Sequence, residues 1–328
     1  MHPLSLRGRV MSHRNLVVFG NKTTTEELIR YLDRHGARPD FLVTLSGEVA
    51  RVAAISGRSE GLEQLCERLG IGFYACKSYS LKDAGDREFF ESFEGGLGLC
   101  TGWQRLLPQA VLDRFAGGVF GWHGSCFRFP HGRGRSPLNW SIRLGGSEVW
   151  HNCFRYEAGV DTGPVFETRR LEIGPETSID VLQYLALDHI KSSALALAAA
   201  WREGRLEEYL VPQPPGPSVE LPKITPEDGG LAFATQRLEE LHALVRSCAR
   251  PFPGAFACIG GRPVLRIWRA ERLASGQIAA HPGAEPGRIV DAGSGRLLIA
   301  AAEGWMLATD YEELIPPPGT GWAGDKLD

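Results

Sequence analysis

Four features are missing from this chain, and each absence excludes a class of protein. There is no basic excess. The sequence has 36 lysines and arginines against 39 aspartates and glutamates, a formal net charge of −3, whereas a dedicated nucleic-acid binder carries a positive surplus. No run of about 18 apolar residues occurs, so no transmembrane helix is expected. The first 14 residues, Met1 to Arg14, contain several basic residues but no apolar core of signal-peptide length. They read as a disordered extension, and Met11 sits just ahead of the first strand-like run. Finally, the seven cysteines (66, 76, 100, 126, 153, 248 and 258) are odd in number and lack CxxC spacing. They read as free thiols in a reducing, cytoplasmic compartment.

What is present is ordinary for a folded protein. Hydrophobic residues make up 43% and charged residues 23% of 328, which excludes wholesale disorder. The length fits one large domain or two. Leu16 to Gly20 is an apolar run ending in glycine, a buried first strand. Thr23 to His35 places Leu28, Ile29 and Leu32 on one helical face, with a threonine cap. Strands follow at Phe41–Leu45, Leu97–Thr101 and Val119–His123, with helices at Gly61–Leu69 and Pro108–Phe115. This alternation predicts a Rossmann-like, doubly wound, mostly parallel sheet. Such sheets bind ligands beyond the carboxyl ends of their strands, here after Gly20, Thr101 and His123. Val149–Tyr156 and Val165–Leu171 read as further strands. Thr177–Arg202 reads as the clearest helix, started by a box-like pair of Thr177 and Asp180.

Val211 to Pro217 is proline-rich and marks a boundary. The expected organisation is an extension over 1–14, a catalytic domain over 15–210, a linker over 211–222 and a small domain over 223–328. In that last segment a helix at Arg237–Ala249 precedes five short strand-like runs, the pattern of an OB-like β-barrel.

The segment Gly121 to Val165 is densest in chemistry-bearing residues. His123 ends a predicted parallel strand, and Asp161 opens a turn between two later ones. A carboxylate near a histidine stabilises its protonated form, and such a histidine can accept a proton or hold charge developing on oxygen. Taken alone, a core histidine and a turn aspartate would look the same. Gly95-Gly-Leu-Gly98 has the look of a phosphate loop, but it precedes a strand and reads as a turn. His123, Cys126, His131, His151 and Cys153 do not fall at structural zinc spacing, so no metal is expected.

The ordered pattern is more specific. His123, Ser125, Pro130, Arg133-Gly134, Pro137, Trp140 and a distal Asp161-Thr162-Gly163 resemble the formyltransferases that use 10-formyltetrahydrofolate. That family includes methionyl-tRNA formyltransferase and the N-formyltransferases of nucleotide-linked amino sugars. Leu97 to Pro108, Lys223 to Asp228 and Arg250 to Phe256 are also similar to it, so the likeness covers roughly residues 15 to 310. The resemblance implies formyl transfer without a metal, with an asparagine, a histidine two residues later and a distal aspartate as the catalytic set. His123 and Asp161 match the last two, and the chain carries two extra residues between Ser125 and Pro130. Gly121 stands at the asparagine position. Glycine has no side chain to donate to an oxyanion, and losing one such donor costs on the order of 100- to 1,000-fold in rate. Three readings follow: a donor supplied by Asn139, Asn152 or a backbone N–H; different chemistry; or a catalytically impaired, ligand-binding homologue.

The resemblance further implies that folate lies against Cys100, Gly102, Trp103 and Val160. It places Ser125, Arg133 and Gly134 beside the acceptor, where the arginine could pair with a phosphate. For the acceptor itself, residues 223–328 hold 11 basic and 13 acidic side chains, a net of −2. That is a poor footprint for tRNA, whose binding rests on neutralising phosphates. A small amine is expected, first a nucleotide-linked amino sugar and second an amino acid or peptide-like metabolite, with methionyl-tRNA and a formate-releasing hydrolase as alternatives. No membrane partner is expected; a homo-oligomer is compatible with the sequence.

Overall fold

The computed structural model describes residues 14–53, 57–317 and 321–328. The expected N-terminal extension therefore falls outside the described residues, Arg14 excepted. In chain order the elements begin β1 (Leu16–Phe19), α1 (Thr23–Arg34), β2 (Phe41–Leu45), α2 (Gly47–Val52), α3 (Leu62–Leu69), β3 (Gly72–Cys76), α4 (Ala84–Glu91), β4 (Leu97–Cys100) and α5 (Gln109–Leu112). Next come β5 (Val119–Ser125), β6 (Arg133–Gly134), α6 (Pro137–Arg143), β7 (Glu148–Arg155), β8 (Val165–Glu172) and α7 (Ile179–Arg202). The chain ends with β9 (Glu220–Leu221), α8 (Leu238–Ser247), β10 (Ala255–Ile259), β11 (Arg262–Ala274), β12 (Ile289–Gly293), β13 (Arg296–Ala301) and β14 (Gly304–Glu313).

Seven strands form one sheet in the order β3-β2-β1-β4-β5-β7-β8. The first five in that order pair in parallel. The mixed, Rossmann-like sheet expected from the sequence is thus present. Strand order reverses between β1 and β4, the switch point at which such sheets open a crevice. β1 shows why the apolar runs are continuous: Leu16 and Val18 join one buried cluster, and Val17 and Phe19 join another. A parallel strand covered on both faces needs apolar residues at every position. Leu28, Ile29 and Leu32 of α1 and Ala194, Leu197 and Ala198 of α7 complete the cluster on the first face.

The chain divides into two compact units that interleave along the sequence. One comprises residues up to His123 with His151–Arg169 and Leu187–Gly216; the other comprises Gly124–Trp150, Arg170–Ala186 and Pro217–Asp328. The second contains a five-stranded antiparallel sheet, β10-β11-β14-β13-β12, which matches the small C-terminal β-domain read from the sequence. The long β11 pairs with both β10 and β14, and bulges near Ala257, Trp268 and Arg269 bend the ladder. One apolar face of α8 closes over this sheet with Leu241, Leu244 and Val245.

Several local expectations need correction. Lys22, rather than a threonine, occupies the N-cap of α1. α7 begins at Ile179, where Ser178 bonds Asp180, while the Thr177 hydroxyl accepts from Gly174 N at 2.9 Å. α5 is only four residues long, and Pro108 is its N-cap. The sequence reading also passed over α2, β3, α4 and α6, which are short or polar. The proline-rich stretch does not run free: Val211 bridges Val165, β9 pairs with β6, and Pro222 O accepts from Trp140 Nε1 at 2.8 Å.

His242 of α8 is buried, with Nε2 3.1 Å from Ala270 O and 3.2 Å from Glu176 Oε2. Burial pushes its pKa down to about 4 from the ordinary 6.5; Arg246 and Arg272 push the same way, and Glu176 opposes them. The unfolded chain takes up this proton below about pH 6.5 and the folded chain does not. The stability it supports is therefore complete above that pH and is lost as the pH falls toward 4. Thermal unfolding midpoints measured from pH 7.5 to 4.5 should fall across this window. His242→Gln should flatten the fall.

Candidate active site

Side chains alternate along β5. Phe120 and Trp122 face the cluster that holds α7, and Trp122 Nε1 donates to Ser193 Oγ at 2.8 Å. Gly121 and His123 therefore share the opposite face. His123 is 14% exposed, and its Nδ1 lies 3.9 Å from Oδ2 of Asp161, which is 21% exposed. The two candidate residues, 38 positions apart in sequence, come within 3.9 Å of each other at the carboxyl end of β5. Asp161 sits in the left-handed region with φ of 54°, which aspartate tolerates better than most residues. Its turn is clamped by Gln213, whose Nε2 donates to both Asp161 O and Gly163 O at 2.8 Å. Gln213 belongs to the proline-rich stretch, and nothing in its local sequence marks it.

Gly121 has a neighbour that the sequence reading missed. A Cβ there would fall 2.0 Å from the hydroxyl oxygen of Tyr156 and 2.2 Å from its Cζ. Tyr156 follows the last residue of β7, and its N–H donates to Val119 O at 2.7 Å. From there the ring crosses β5 over Gly121 toward Cys100, which pairs with Gly121 on β4. Burial, then Cys100 and Asp161, push the phenol well above its ordinary range, and burial pushes the Cys100 thiol up to about 12. Both groups are neutral at pH 7.

The asparagines expected to replace a missing donor are committed elsewhere. Asn152 Nδ2 donates to His123 O at 3.3 Å, and its Oδ1 accepts from Thr168 Oγ1 at 2.7 Å. Asn139 lies in the other unit and donates to Ser247 O at 2.8 Å. On β7, beside β5, buried His151 Nδ1 lies 2.8 Å from His189 Nδ1, and His189 Nε2 lies 3.4 Å from Glu167 Oε1. Burial, then His189 and His123, hold His151 well below its ordinary range, so it is neutral.

The candidate folate loop follows β4. Cys100 is buried, Gly102 takes φ of 72°, and its Cβ position lies 2.8 Å from Thr25 Oγ1. Thr25 in turn donates to Thr101 O at 2.8 Å, so the loops after β1 and β4 are bound together at the switch point. Trp103 is 9% exposed and meets Phe19 and Tyr79 edge-on, forming a wall; Val160 is 52% exposed in the loop between β7 and β8. Beside Lys22, Asn21 is 1% exposed, and neither atom of its amide has a hydrogen-bond partner. A cavity of about 510 Å³ opens past β2 and β3 among Ser46, Glu48, Val49, Lys77 and Tyr79.

The candidate acceptor residues lie in the second unit. Ser125 is fully buried and donates to His131 O at 2.6 Å, tying its own loop. Arg133 and Gly134 form β6 against β9. Among the described residues, no group of three or more histidine, cysteine or carboxylate side chains is placed to hold a metal. No helix of the described residues is long and apolar enough to cross a membrane, and all seven cysteines are free.

Residues 14–195 match the family described as Formyl transferase, and residues 223–313 match its C-terminal domain. The chain is a member of the formyl transferase family. Among curated relatives, methionyl-tRNA formyltransferase of Myxococcus xanthus is 32% identical over 214 residues, covering 65% of this chain and 64% of that protein. The protein of the same name from Methylobacterium nodulans is 31% identical over 306 residues, 83% of this chain and 93% of its own. Among solved structures, HypX from Aquifex aeolicus in complex with tetrahydrofolic acid superposes with a TM-score of 0.60 at 13% identity, covering 93% of this chain and 45% of that one. The N-formyltransferase of Helicobacter canadensis with folinic acid and dTDP-3-aminofucose gives 0.60 at 12% identity, covering 91% and 99%. At such identities the likeness is one of fold.

The Gln213 clamp is testable. Gln213→Ala leaves two carbonyls of the Asp161 turn without their donor, at a cost of about 1–3 kcal/mol. The unfolding midpoint should fall, and amide exchange at residues 161–163 should quicken while β1 stays protected. Unchanged exchange at the turn would mean that Gln213 does not hold it.

Proposed function

We propose that this formyl transferase moves the formyl group of 10-formyltetrahydrofolate to the primary amine of a small substrate, a nucleotide-linked amino sugar. The observation that carries the reading is the meeting of His123 and Asp161 at the carboxyl end of a Rossmann-like sheet, in a chain matching both parts of the family. The donor is a co-substrate. It would lie along the loop at Cys100, Gly102 and Trp103 and against Val160. The buried amide of Asn21 near that loop, with Tyr79 as its polar neighbour, has capacity left for a polar ligand.

The chemistry follows from charge. A neutral amine nitrogen attacks the formyl carbon and becomes cationic as the formyl oxygen becomes anionic. His123 takes up the proton, and the Asp161 carboxylate stabilises the resulting imidazolium. Breaking the bond to folate nitrogen then returns a proton to that nitrogen. Positioned acid–base groups of this kind contribute about 100- to 10,000-fold.

Two lines support a small acceptor. The segment 223–328 has a net charge of −2, and the Helicobacter neighbour spans almost its whole length at the same fold with an amino-sugar nucleotide bound. Arg133 on β6 is the candidate partner for the nucleotide phosphate. A methionyl-tRNA acceptor is the second reading, favoured by the names of relatives about 31% identical to this chain.

Purified protein should formylate aminosugar nucleotides, read as a mass gain matching replacement of H by CHO, with chelator present or absent. Formylation of methionyl-tRNA alone would overturn the small-acceptor reading. Formate release without any amine would make the protein a hydrolase. Asp161→Asn keeps a residue that tolerates the left-handed turn and should cost about 100-fold or more in kcat with the unfolding midpoint preserved.

A further inference from the structure

A formyl carbon under attack places negative charge on oxygen, and that charge needs a donor beside His123. On the face of β5 that carries His123, position 121 has no side chain. Its Cβ space is filled by a phenol: the Tyr156 oxygen lies 2.0 Å from where that Cβ would be. No residue larger than glycine fits at 121 while Tyr156 keeps this place, because the ring carbons Cζ and Cε1 also come within 2.4 Å. The two positions therefore form one unit: a glycine on β5 and a tyrosine arriving from the end of β7.

We propose that Tyr156 is a catalytic residue of this formyl transferase, its hydroxyl donating to the oxyanion that develops on the formyl oxygen. The inference rests on the formyl-transfer reading above. Three observations fit the role. The phenol is neutral at working pH, because burial and the nearby Cys100 and Asp161 hold its proton on. The neighbouring thiol of Cys100 on β4 keeps its proton and is at most a weak acceptor, so the O–H can turn to a stronger, anionic one. The ring is fixed, with its backbone N–H tied to Val119 O and its face beside Phe154 at 5.5 Å between centroids, so the donor is already in place before charge appears. No proton leaves Tyr156 in the step. The hydroxyl stabilises the alkoxide while the amine proton goes to His123, and the carbonyl re-forms as the bond to folate nitrogen breaks.

The test compares full-length variants for consumption of 10-formyltetrahydrofolate with saturating amine. Tyr156→Phe keeps the ring and removes the donor. It should lower kcat about 100- to 1,000-fold with little change in KM for the folate and a similar unfolding midpoint. Gly121→Asn alone should be inactive and destabilised, since its side chain collides with the phenol. The double variant Gly121→Asn with Tyr156→Ala clears that space and puts an amide donor on the same strand face. It should exceed Tyr156→Ala alone by at least tenfold in kcat, a rescue that a packing role for Tyr156 does not produce. Two results overturn the assignment: Tyr156→Phe within threefold of wild type, or no gain from the asparagine in the double variant. A wild type that consumes no formyl donor with any amine overturns the formyl-transfer reading and this assignment together. A wild type that is active alongside an equally active Tyr156→Phe overturns this assignment alone.

Discussion

The burial of the central strands on both faces is the constraint from which the rest of the first unit follows. β1 offers nothing polar to either side, and β4 and β5 continue the same two apolar layers. Once Phe120 and Trp122 are committed to the α7 side, the two-residue period leaves no freedom for His123. It must emerge on the other face, at the strand's carboxyl end, where burial gives way to the crevice. A slip of one residue in β5 would send Trp122 into the site and His123 toward the half-buried indole's place, so the register is held by the cost of moving large apolar surface. The switch point between β1 and β4 has the same origin. Thr25 bonds Thr101 O because two parallel strands end side by side, which ties the first turn of α1 to the loop after β4.

This explains which parts of the protein were legible in the sequence. Leu16–Phe19, Phe41–Leu45 and Ala255–Ile259 are runs whose composition suits only a buried strand, and the structure places strands there. β3 escaped because Gly72-Phe-Tyr-Ala-Cys76 is half-buried along most of its length and gives neither a continuous apolar run nor a strict alternation. α6 escaped because Ser136 precedes it in the left-handed region, and Pro137-Leu-Asn-Trp carries loop-like residues on a single helical turn. His123 and Asp161 are legible in the sequence through the ordered pattern that resembles the formyltransferases. Their meeting depends on a turn whose clamp, Gln213, lies 52 residues from Asp161. No local pattern encodes a bond of that span.

Gly121 shows the same limit from the other side. Read alone, the glycine is a lost donor. A buried glycine within a strand is also evidence about its neighbours, because an interior packed at crystal density cannot keep a side-chain-sized hole beside it. Something has to fill that space. The occupant is invisible in the sequence because Tyr156 reads as the last residue of a strand, where the direction of a ring is set by tertiary contacts. The sequence shows the vacancy at 121, and only the fold shows the phenol that occupies it.

The distance of 3.9 Å between His123 and Asp161 has a consequence of its own. Unit charges at about 4 Å interact by about 1 kcal/mol in bulk water and about 4 kcal/mol where the effective dielectric constant is near 20. Both side chains keep some exposure, 14% and 21%, so in the open site water screens much of their attraction. A ligand seated against Val160 and the loop after β4 would cover the same face and displace that water. The carboxylate would then hold an imidazolium more strongly when the amine is in place than when it is absent. In the proposed transfer, this is the stage at which His123 has a proton to accept.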